Sequence, residues 1–306
     1  MHLSTQVEPV PRRKRREALQ FLAGGSGRDV LADVRADSLV RLLRARGGGW
    51  LWWCRRMGRL RAVAVVIPNE GRTGVVFYSS PHMPGVDADA LGEAIRRASA
   101  DAIADGELTL VQALIRPESR GERDALLRGG FQELAELIYL RKELEAAPSA
   151  PEQGPVSWRS WGEYDQQELA EVIAATYEDS LDCPRLAGLR DVEDTIVGHK
   201  ASGNFRRDWW WIVHWAGEPA GCLLANEGRG GTAEVVYLGV VPAFRGRGLG
   251  RWMLAKVAGE AWRAQMPAVT LAVDSANSYA VDLYIREGFR ETMRRLACIR
   301  TVQQVV

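Results

Sequence analysis

Three glycines fall within six residues in Arg245-Gly246-Arg247-Gly248-Leu249-Gly250, between an apolar run and a segment with helical spacing. Glycine leaves the backbone N–H groups unshielded, whereas a Cβ would block the close approach of an anion. The N-terminus of the following helix would direct the positive end of its dipole to the same place. These residues therefore predict a phosphate site.

Three phosphate-binding designs use glycine-rich turns, and two of them ask for residues that this turn lacks. A nucleoside-triphosphate loop needs Lys-Ser/Thr after its last glycine, but Gly250 is followed by Arg251. A dinucleotide fingerprint needs glycine at 251 or 253, where the chain has Arg251 and Met253. The third pattern, Arg/Gln-x-x-Gly-x-Gly/Ala, is met by Arg245, Gly248 and Gly250.

This third pattern follows a segment ending in Gly239-Val-Val-Pro242 and precedes Asn277, Tyr284 and Gly288-Phe289. With these residues the chain resembles the GCN5-related N-acetyltransferase (GNAT) superfamily, over residues 156–302 in element order. The resemblance implies an enzyme, an N-acetyltransferase that acts on an amine. It also implies acetyl-coenzyme A as co-substrate, its pyrophosphate cradled by the loop, and no metal.

The resemblance further implies which positions hold the cofactor. In the family, the strand before the loop splays away from the next strand, and the pantetheine arm pairs with its open backbone. A backbone N–H aimed at the thioester oxygen would act as an oxyanion hole does. An asparagine before a helix can also simply be its N-cap. The predicted cofactor-binding residues are Leu238, Gly239, Val240, Val241, Arg245, Gly246, Arg247, Gly248, Leu249, Gly250, Arg251 and Asn277.

Tyr284 matches the position of the family's general-acid tyrosine. Its ordinary pKa near 10 suits protonation of a thiolate, whose thiol has a pKa near 8.5. The alternative is a tyrosine packed in the core.

Glu234 is predicted as the general base, acting directly or through water on the acceptor ammonium, although a solvated glutamate at a strand edge is the alternative. Strict strand alternation would put it on the same face as Leu238 and Val240. Tyr237 would then point to the opposite face, which makes it a weaker catalytic candidate.

The loop Tyr177–Pro184 would lie where acceptors enter such folds. Its acids would attract a cationic amine, or they form only an acidic connection. These acids are Glu178, Asp179 and Asp182. His199 and His214 have no carboxylate or cysteine partner nearby in the sequence and are predicted to be surface or packing residues.

The elements that must position these residues occur twice. Trp50-Leu-Trp-Trp precedes a hairpin signal as Trp209-Trp-Trp-Ile does, and Arg128–Phe131 echoes Arg286–Phe289 at a spacing of 158. The segment Ala146–Pro155 combines Pro, Gly, Ala and Ser without periodicity, as a linker does. The chain therefore predicts a duplicated domain.

Periodicity in the second copy predicts the order β, α, α, β, β, β, α, β, α, β. The strands are 156–158, 209–215, 220–225, 233–241, 269–273 and 290–302, and the helices are 164–177, 191–200, one after the glycine loop, and 278–287. The predicted fold class is α/β (α+β), with two tandem GNAT-like domains, each a mixed, mainly antiparallel sheet flanked by helices. The predicted domains are a basic leader (1–16), a degenerate domain (17–145), a linker (146–155) and a catalytic domain (156–306).

The first copy lacks the functional positions of the second. His82-Met-Pro-Gly-Val-Asp87-Ala-Asp89 stands where the glycine loop should recur, and its carboxylates would repel a pyrophosphate. Leu126 corresponds to Tyr284, and Ser119 to Asn277. A tandem layout with a competent C-terminal copy resembles the mycothiol synthase family. This resemblance rests on layout and not on acceptor residues, so that family's substrate does not carry over. The predicted acceptor is a primary amine of a small molecule.

The composition adds limits on compartment and partners. Forty basic and 39 acidic side chains leave the chain near neutral, which favours neither nucleic acid nor an anionic membrane. No window of about 18 apolar residues predicts a membrane span. Four cysteines without CxxC spacing argue against zinc and fit a reducing, cytoplasmic compartment. The basic run Arg12–Arg16 could bind nucleic acid or acidic lipid, or be a solvated leader. A noncatalytic acyl-CoA-binding or scaffold protein is the alternative function.

Overall fold

The computed structural model describes residues 5–24, 30–148 and 155–304. The chain divides into two units, residues 1–134 with 296–306, and residues 135–295. Parts of the predicted leader (1–4), of the predicted linker (149–154) and of the C-terminus (305–306) lie outside the described residues.

The first unit alternates β-branched and aromatic strands with alanine-rich helices. Its sheet has the order β1-β2-β3-β4-β5-β12, in which only the β4–β5 pair is parallel. Its elements are β1 (Thr5–Pro9), α1 (Arg15–Leu22), α2 (Val30–Ala45), β2 (Trp50–Arg56), β3 (Arg59–Asn69), β4 (Thr73–Tyr78), α3 (Ala88–Ala104), β5 (Leu110–Ile115), α4 (Arg120–Arg128) and the end of β12 (Arg290–Thr301).

The second unit has a sheet of the order β7-β8-β9-β10-β11-β6-β12, in which the β10–β11 pair is parallel and the pairs from β7 to β10 and between β11 and β6 are antiparallel. Its elements are β6 (Gln132–Glu143), β7 (Val156–Ser160), α5 (Gln166–Tyr177), α6 (Val192–Lys200), β8 (Trp210–Trp215), β9 (Glu218–Glu227), β10 (Ala233–Val240), α7 (Leu249–Arg263), β11 (Ala268–Asp274), α8 (Ser278–Arg286) and the start of β12. The predicted order of helices and strands is confirmed.

The two units repeat the same order of elements. The strands β6 and β12 begin 158 positions apart, at Gln132 and Arg290, and the helices α4 and α8 have the same spacing. The predicted fold class, a tandem α/β protein with mixed sheets flanked by helices, is therefore confirmed.

The compact units do not divide at the predicted linker, because the last strand of each half pairs in the other unit. β6 pairs with β11 from Leu137–Asp274 to Glu143–Ala268. β12 pairs with β5 from Leu296–Ile115 to Thr301–Leu110. The periodicity of a strand does not reveal its partner, so the sequence could not show this exchange.

The predicted basic leader also differs from the structure. Residues Thr5–Pro9 form β1, which pairs with β2, and the basic run continues into α1 at Arg15. The segment is an edge strand with only Val7 partly buried, so its sequence shows little hydrophobic pattern.

Two apolar clusters cover the two faces of the second unit's sheet. The cluster under α7 and α8 contains Leu254, Val257, Ala258 and Ala261, which follow the i, i+3, i+4, i+7 spacing of one helix face. The other cluster lies under α5 and α6, on the opposite face. In the described part of the chain, no helix has both the length and the apolarity that a bilayer crossing needs.

Candidate active site

A gap opens between the neighbouring strands β10 and β11. They pair in parallel over only three residues, the last pair being Val235 with Leu271. β9 continues to pair with β10 as far as Val240. The edge of β10 that faces β11 is therefore paired only as far as Val235, whereas the edge that faces β9 is paired as far as Val240.

The hydrogen-bond pattern between β9 and β10 shows which peptide groups of β10 face this gap. Val241 donates its N–H to the carbonyl oxygen of Ala220 (2.9 Å), on the β9 side. Because successive residues of a strand direct their peptide groups to opposite edges, those of Leu238 and Val240 point to the gap. An extended ligand arm could pair with them as an added strand does.

The glycine loop ends in a helix N-terminus that no side chain caps. Gly248 is the N-cap of α7 with φ 82°, and Gly246 has φ 76°, a left-handed conformation that favours glycine. A Cβ at either position would meet no atom within 4 Å, so the space beside the loop is open. Gly250 packs against α8, since a Cβ there would lie 2.6 Å from Leu283 Cδ2. The N–H groups of this helix end suit an anion, and phosphate binding there stays a prediction.

The side chains of the three loop arginines, Arg245, Arg247 and Arg251, make different contacts. Arg245 donates to the carbonyl oxygens of Thr176, Glu178, Asp179 and Val240, at 2.6–3.1 Å, so its side chain positions the loop.

The other two arginines make different contacts. The Arg247 guanidinium lies over the rings of Trp215 and Phe244, 5.7 and 5.4 Å from the centroids. Arg251 forms an ion pair with Glu287 (3.2 Å) and is 72% exposed.

A cleft of about 570 Å³ joins the gap and the glycine loop. We call it the cleft. Ten of the twelve predicted cofactor-binding residues line it, and the exceptions are Val241 and Arg247. The lining residues of that set are Leu238, Gly239, Val240, Arg245, Gly246, Gly248, Leu249, Gly250, Arg251 and Asn277.

Asn277 is both a lining residue and a helix cap. Its Oδ1 accepts a hydrogen bond from the N–H of Ala280 (3.3 Å) at the start of α8. The cap orients the side chain amide at the mouth of the cleft, so the two predicted roles are compatible.

Tyr284 does not line the cleft. It is 6% exposed, belongs to the core under α7 and α8, and packs against Phe289 with centroids 5.8 Å apart. Burial raises the pKa of Tyr284, and the carboxylate of Asp182 raises it further. The hydroxyl therefore stays protonated at neutral pH, as an acid must before it donates.

The predicted face of Glu234 is wrong. A β-bulge between Val235 and Tyr237 shifts the register of β10 against β9. Val235 and Leu238 therefore share the core under α7, and Tyr237 packs in the opposite cluster with Val236. Glu234, adjacent to Val235, lies on the face opposite to Leu238. Burial raises its pKa, but it lines neither the cleft nor the cavity described next.

A cavity of about 640 Å³, the side cavity, opens beside the cleft under α5 and α6. The two share five residues, Tyr177, Asp179, Ser180, Asp182 and Tyr237. Two of the three predicted acceptor-loop acids are thus where cleft and cavity meet. The third, Glu178, lines neither, and its carbonyl oxygen binds Arg245.

Asp182 is held at this junction by reciprocal bonds to the end of β11. Its Oδ1 accepts from the N–H of Asp274 (3.1 Å), while Asp274 Oδ2 accepts from the N–H of Cys183 (3.1 Å). Partial burial raises the pKa of Asp182, and the Asp274 carboxylate also raises it. The hydrogen bond from the N–H of Asp274 lowers the pKa, but the net shift is upward. The result is a positioned carboxylate with raised proton affinity.

The side cavity also carries groups that the sequence analysis did not select as site residues. Tyr237 bonds to the Thr176 hydroxyl (2.6 Å) and lies against His199, with centroids 5.6 Å apart. Burial, together with the nearby Arg190 guanidinium, lowers the pKa of His199 to about 4. His199 is therefore neutral at pH 7 and lines a cavity, beyond the packing role predicted from its neighbours.

The sequence analysis placed Tyr237 on the face opposite to Leu238 and set it aside for that reason. The structure places it on that face, where the side cavity opens, and no local pattern signals this cavity. Arg190 and His199 lie on a loop and a helix without a recognisable motif.

The matching corner of the first unit is closed. Its β4 and β5 also pair in parallel over three residues, Thr73–Val75 with Leu110–Gln112. However, Asp87 caps α3 by accepting from the N–H of Ala90 (2.9 Å), which fills the helix end with a carboxylate. Leu126, at the position of Tyr284, is fully buried.

Comparison with known proteins agrees with this geometry. Residues 158–289 match the model of the acetyltransferase (GNAT) family. A GCN5-related N-acetyltransferase from Sphaerobacter thermophilus shares the fold with a TM-score of 0.59 at 19% identity, over 97% of this chain and 95% of that chain. The GCN5-related glucosamine N-acetyltransferase region of a fungal multi-domain GH3 β-N-acetylglucosaminidase also gives 0.59, at 11% identity, over 97% of this chain and 38% of that chain. No curated protein matches the chain.

Proposed function

We propose that the protein transfers an acyl group, acetyl by default, from acyl-coenzyme A to a primary amine of a small molecule. The observation that carries the proposal is one cleft that joins an uncapped, glycine-lined helix end to an unpaired strand edge. The family match supports acyl transfer in general. The side cavity, with Asp179 and Asp182 where it meets the cleft, supports a small cationic acceptor.

The residues of the cleft suit coenzyme A. In this proposal the N–H groups of residues 246–250 bind the pyrophosphate, and the peptide groups of Leu238 and Val240 bind the pantetheine arm together with the Asn277 amide. The N–H groups of Val241 and Arg251, which the sequence analysis included, bond instead to the carbonyl oxygens of Ala220 and Gly248. Coenzyme A, when bound, supplies the thioester. The first unit, whose helix end is filled by Asp87, does not bind it.

Two proton movements accompany direct attack by the amine. The amine enters from the side cavity and loses its proton to a carboxylate, for which Asp182 and the sequence-predicted Glu234 are the candidates. Tyr284 donates a proton to the departing thiolate. Four free cysteines support a reducing compartment such as the cytoplasm.

The test is release of free thiol from acetyl-CoA across a panel of primary amines, with wild type and Tyr284→Phe. We expect Tyr284→Phe to lower kcat roughly 10²-fold or more while it keeps acetyl-CoA affinity, because a general acid contributes about that much. A wild type that binds acetyl-CoA but acetylates no amine would instead support the noncatalytic binder, which the burial of Tyr284 in the core favours.

The assignment of the pyrophosphate to the glycine loop is tested separately, by thermal unfolding in the presence of coenzyme A. Coenzyme A should raise the unfolding temperature of wild type but not that of Gly248→Glu, because a carboxylate at the helix end repels phosphate. A wild type without any thermal response to coenzyme A would contradict the whole proposal.

A further inference from the structure

The side cavity carries charges of both signs, and they lie in different parts of it. Among the described residues that line it, Asp179 and Asp182 are the carboxylates, and both also line the cleft. Arg190 is the one arginine or lysine among them, and it lines the side cavity without lining the cleft. His199 likewise lines only the side cavity. A molecule that occupies this cavity therefore meets carboxylates where it enters the cleft and a guanidinium away from the cleft.

The Arg190 side chain is half-buried and lies just before α6. Its guanidinium donates to the carbonyl oxygen of Asp194 (3.1 Å), which ties it to the first turns of α6. Burial lowers the pKa of Arg190, while Tyr177 and the Asp194 carboxylate oppose this shift. A guanidinium has five N–H donors and stays protonated in proteins, so it can bind an acceptor in the cavity while it keeps its bond to Asp194. Partial burial also strengthens its attraction for an anion.

His199 brings a polar atom without a protein partner to the same part of the cavity. Its Nε2 is buried, and no described residue forms a hydrogen bond with it. The Arg190 charge contributes to the lowered pKa of His199, so the two groups lie close together. A neutral imidazole can present an N–H donor without adding a charge. Because buried polar atoms in proteins nearly always have a partner, this nitrogen points to a polar group supplied by a ligand.

The wall that connects the acidic and the basic part is largely aromatic and apolar. Tyr177 and Tyr237 meet edge to face with centroids 5.9 Å apart, and Val236 lies beside them in the lining. The charges of Arg190 and Asp182 both act on the pKa of Tyr177, so its hydroxyl lies within reach of both. An apolar body that carries a cation at one end and an anion at the other matches this lining.

We propose that the acceptor is an aminocarboxylate, a small molecule whose primary amine faces Asp182 and whose carboxylate binds Arg190, with His199 beside it. The inference rests on the proposed function and deepens it, because it names a second group that the acceptor carries. A carboxylate can accept two parallel hydrogen bonds from a guanidinium. One guanidinium balances a single negative charge, whereas the dianion of a phosphate would also be repelled by the acids of the cavity, so the charges favour a carboxylate.

The test measures free thiol release from acetyl-CoA with pairs of amines that differ by one carboxylate. The pairs are β-alanine with ethylamine, γ-aminobutyrate with propylamine, and phenylalanine with phenethylamine. We expect the aminocarboxylate of at least one pair to have a kcat/KM at least roughly tenfold above that of its partner amine, because a hydrogen bond to a charged group contributes about that much.

The variant Arg190→Gln removes the charge but keeps an N–H donor for the carbonyl oxygen of Asp194. It should lower kcat/KM for the preferred aminocarboxylate to the level of its partner amine and leave the partner amine unchanged. Its thermal response to coenzyme A should stay that of wild type, which checks the fold and the cleft. Arg263→Gln, which removes a cation that is 69% exposed and lines neither the cleft nor the side cavity, should keep the full preference.

Equal kcat/KM within every pair overturns this inference and leaves the proposed function standing. The same holds if Arg190→Gln keeps the wild-type preference, or if it lowers kcat/KM equally for both members of a pair, as a purely structural role would. A wild type that acetylates neither these compounds nor any other primary amine overturns the proposed function, and this inference with it.

Discussion

Asp182 has the position that a general base requires, because it lies where the cleft and the side cavity meet. Reciprocal hydrogen bonds with the Asp274 segment hold its carboxylate. It is also close enough to Tyr284 to raise the pKa of that hydroxyl. Glu234 lies on the face opposite to Leu238, on the other side of the bulge. We therefore favour Asp182 over Glu234.

The substitutions Asp182→Asn and Glu234→Gln separate the two candidates. We expect Asp182→Asn to lower kcat/KM by roughly 10²-fold or more and Glu234→Gln to change it only a few-fold, since a base contributes on the order of 10²–10⁴. A general base acts only when it is deprotonated, so activity falls as the pH drops through its pKa. Because the pKa of Asp182 is raised, this fall should occur at a higher pH than for an ordinary aspartate. The acidic limb of kcat/KM should therefore lie above the ordinary value of 3.8 and disappear in Asp182→Asn.

Both variants should keep the thermal response to coenzyme A, which serves as the control for folding and cofactor binding. A larger loss in Glu234→Gln than in Asp182→Asn would show that the sequence-based choice of base was right.

At the scale of elements, the side chain of Arg245 joins the glycine loop to the end of α5. Its four bonds to carbonyl oxygens use the planar fork of a guanidinium, which the ammonium of lysine cannot reproduce. The motif residue that family resemblance assigns to the cofactor thus shapes the loop that would hold it.

Arg245→Lys should lower the free energy of unfolding by roughly 1–3 kcal/mol and weaken coenzyme A binding, because several carbonyl oxygens lose a charged donor. Arg247→Lys is the matched control, since Arg247 makes one bond to Ala243 O (3.3 Å) and otherwise lies over aromatic rings. Thermal melts and calorimetry measure both effects. Equal stability and affinity in Arg245→Lys and wild type would argue against a positioning role.

At the scale of the whole molecule, each unit depends on a strand from the other half of the chain. β6 supplies the partner of β11 over seven residues, and the end of β12 supplies the partner of β5 over six. A cut at the linker would remove one strand from each sheet and expose the edges of β11 and β5.

Fragments 1–145 and 156–306 should therefore fail to fold when produced separately and should regain coenzyme A binding when produced together. Circular dichroism melts and the thermal response to coenzyme A measure this. An independently folded fragment 156–306 that binds coenzyme A would show that the strand exchange is dispensable, and would match the domain limits predicted from the sequence.

The sequence by itself determined the elements of the second unit and the place of the glycine loop at the start of α7. Both are local properties: period-3.6 and period-2 patterns set α7 and the strands, and the glycines of 246–250 allow left-handed backbone and close approach. The duplication was also visible, because the pattern around Arg128–Phe131 recurs at Arg286–Phe289.

Only the tertiary structure decided the exchange of β6 and β12, the face of Glu234, the partners of Arg245 and the junction at Asp182. A strand's pattern states which side is buried but not which strand lies beside it, and one bulge residue in β10 reverses alternation without changing composition. The Asp182–Asp274 contact joins residues 92 positions apart, so it exists only after the chain has folded.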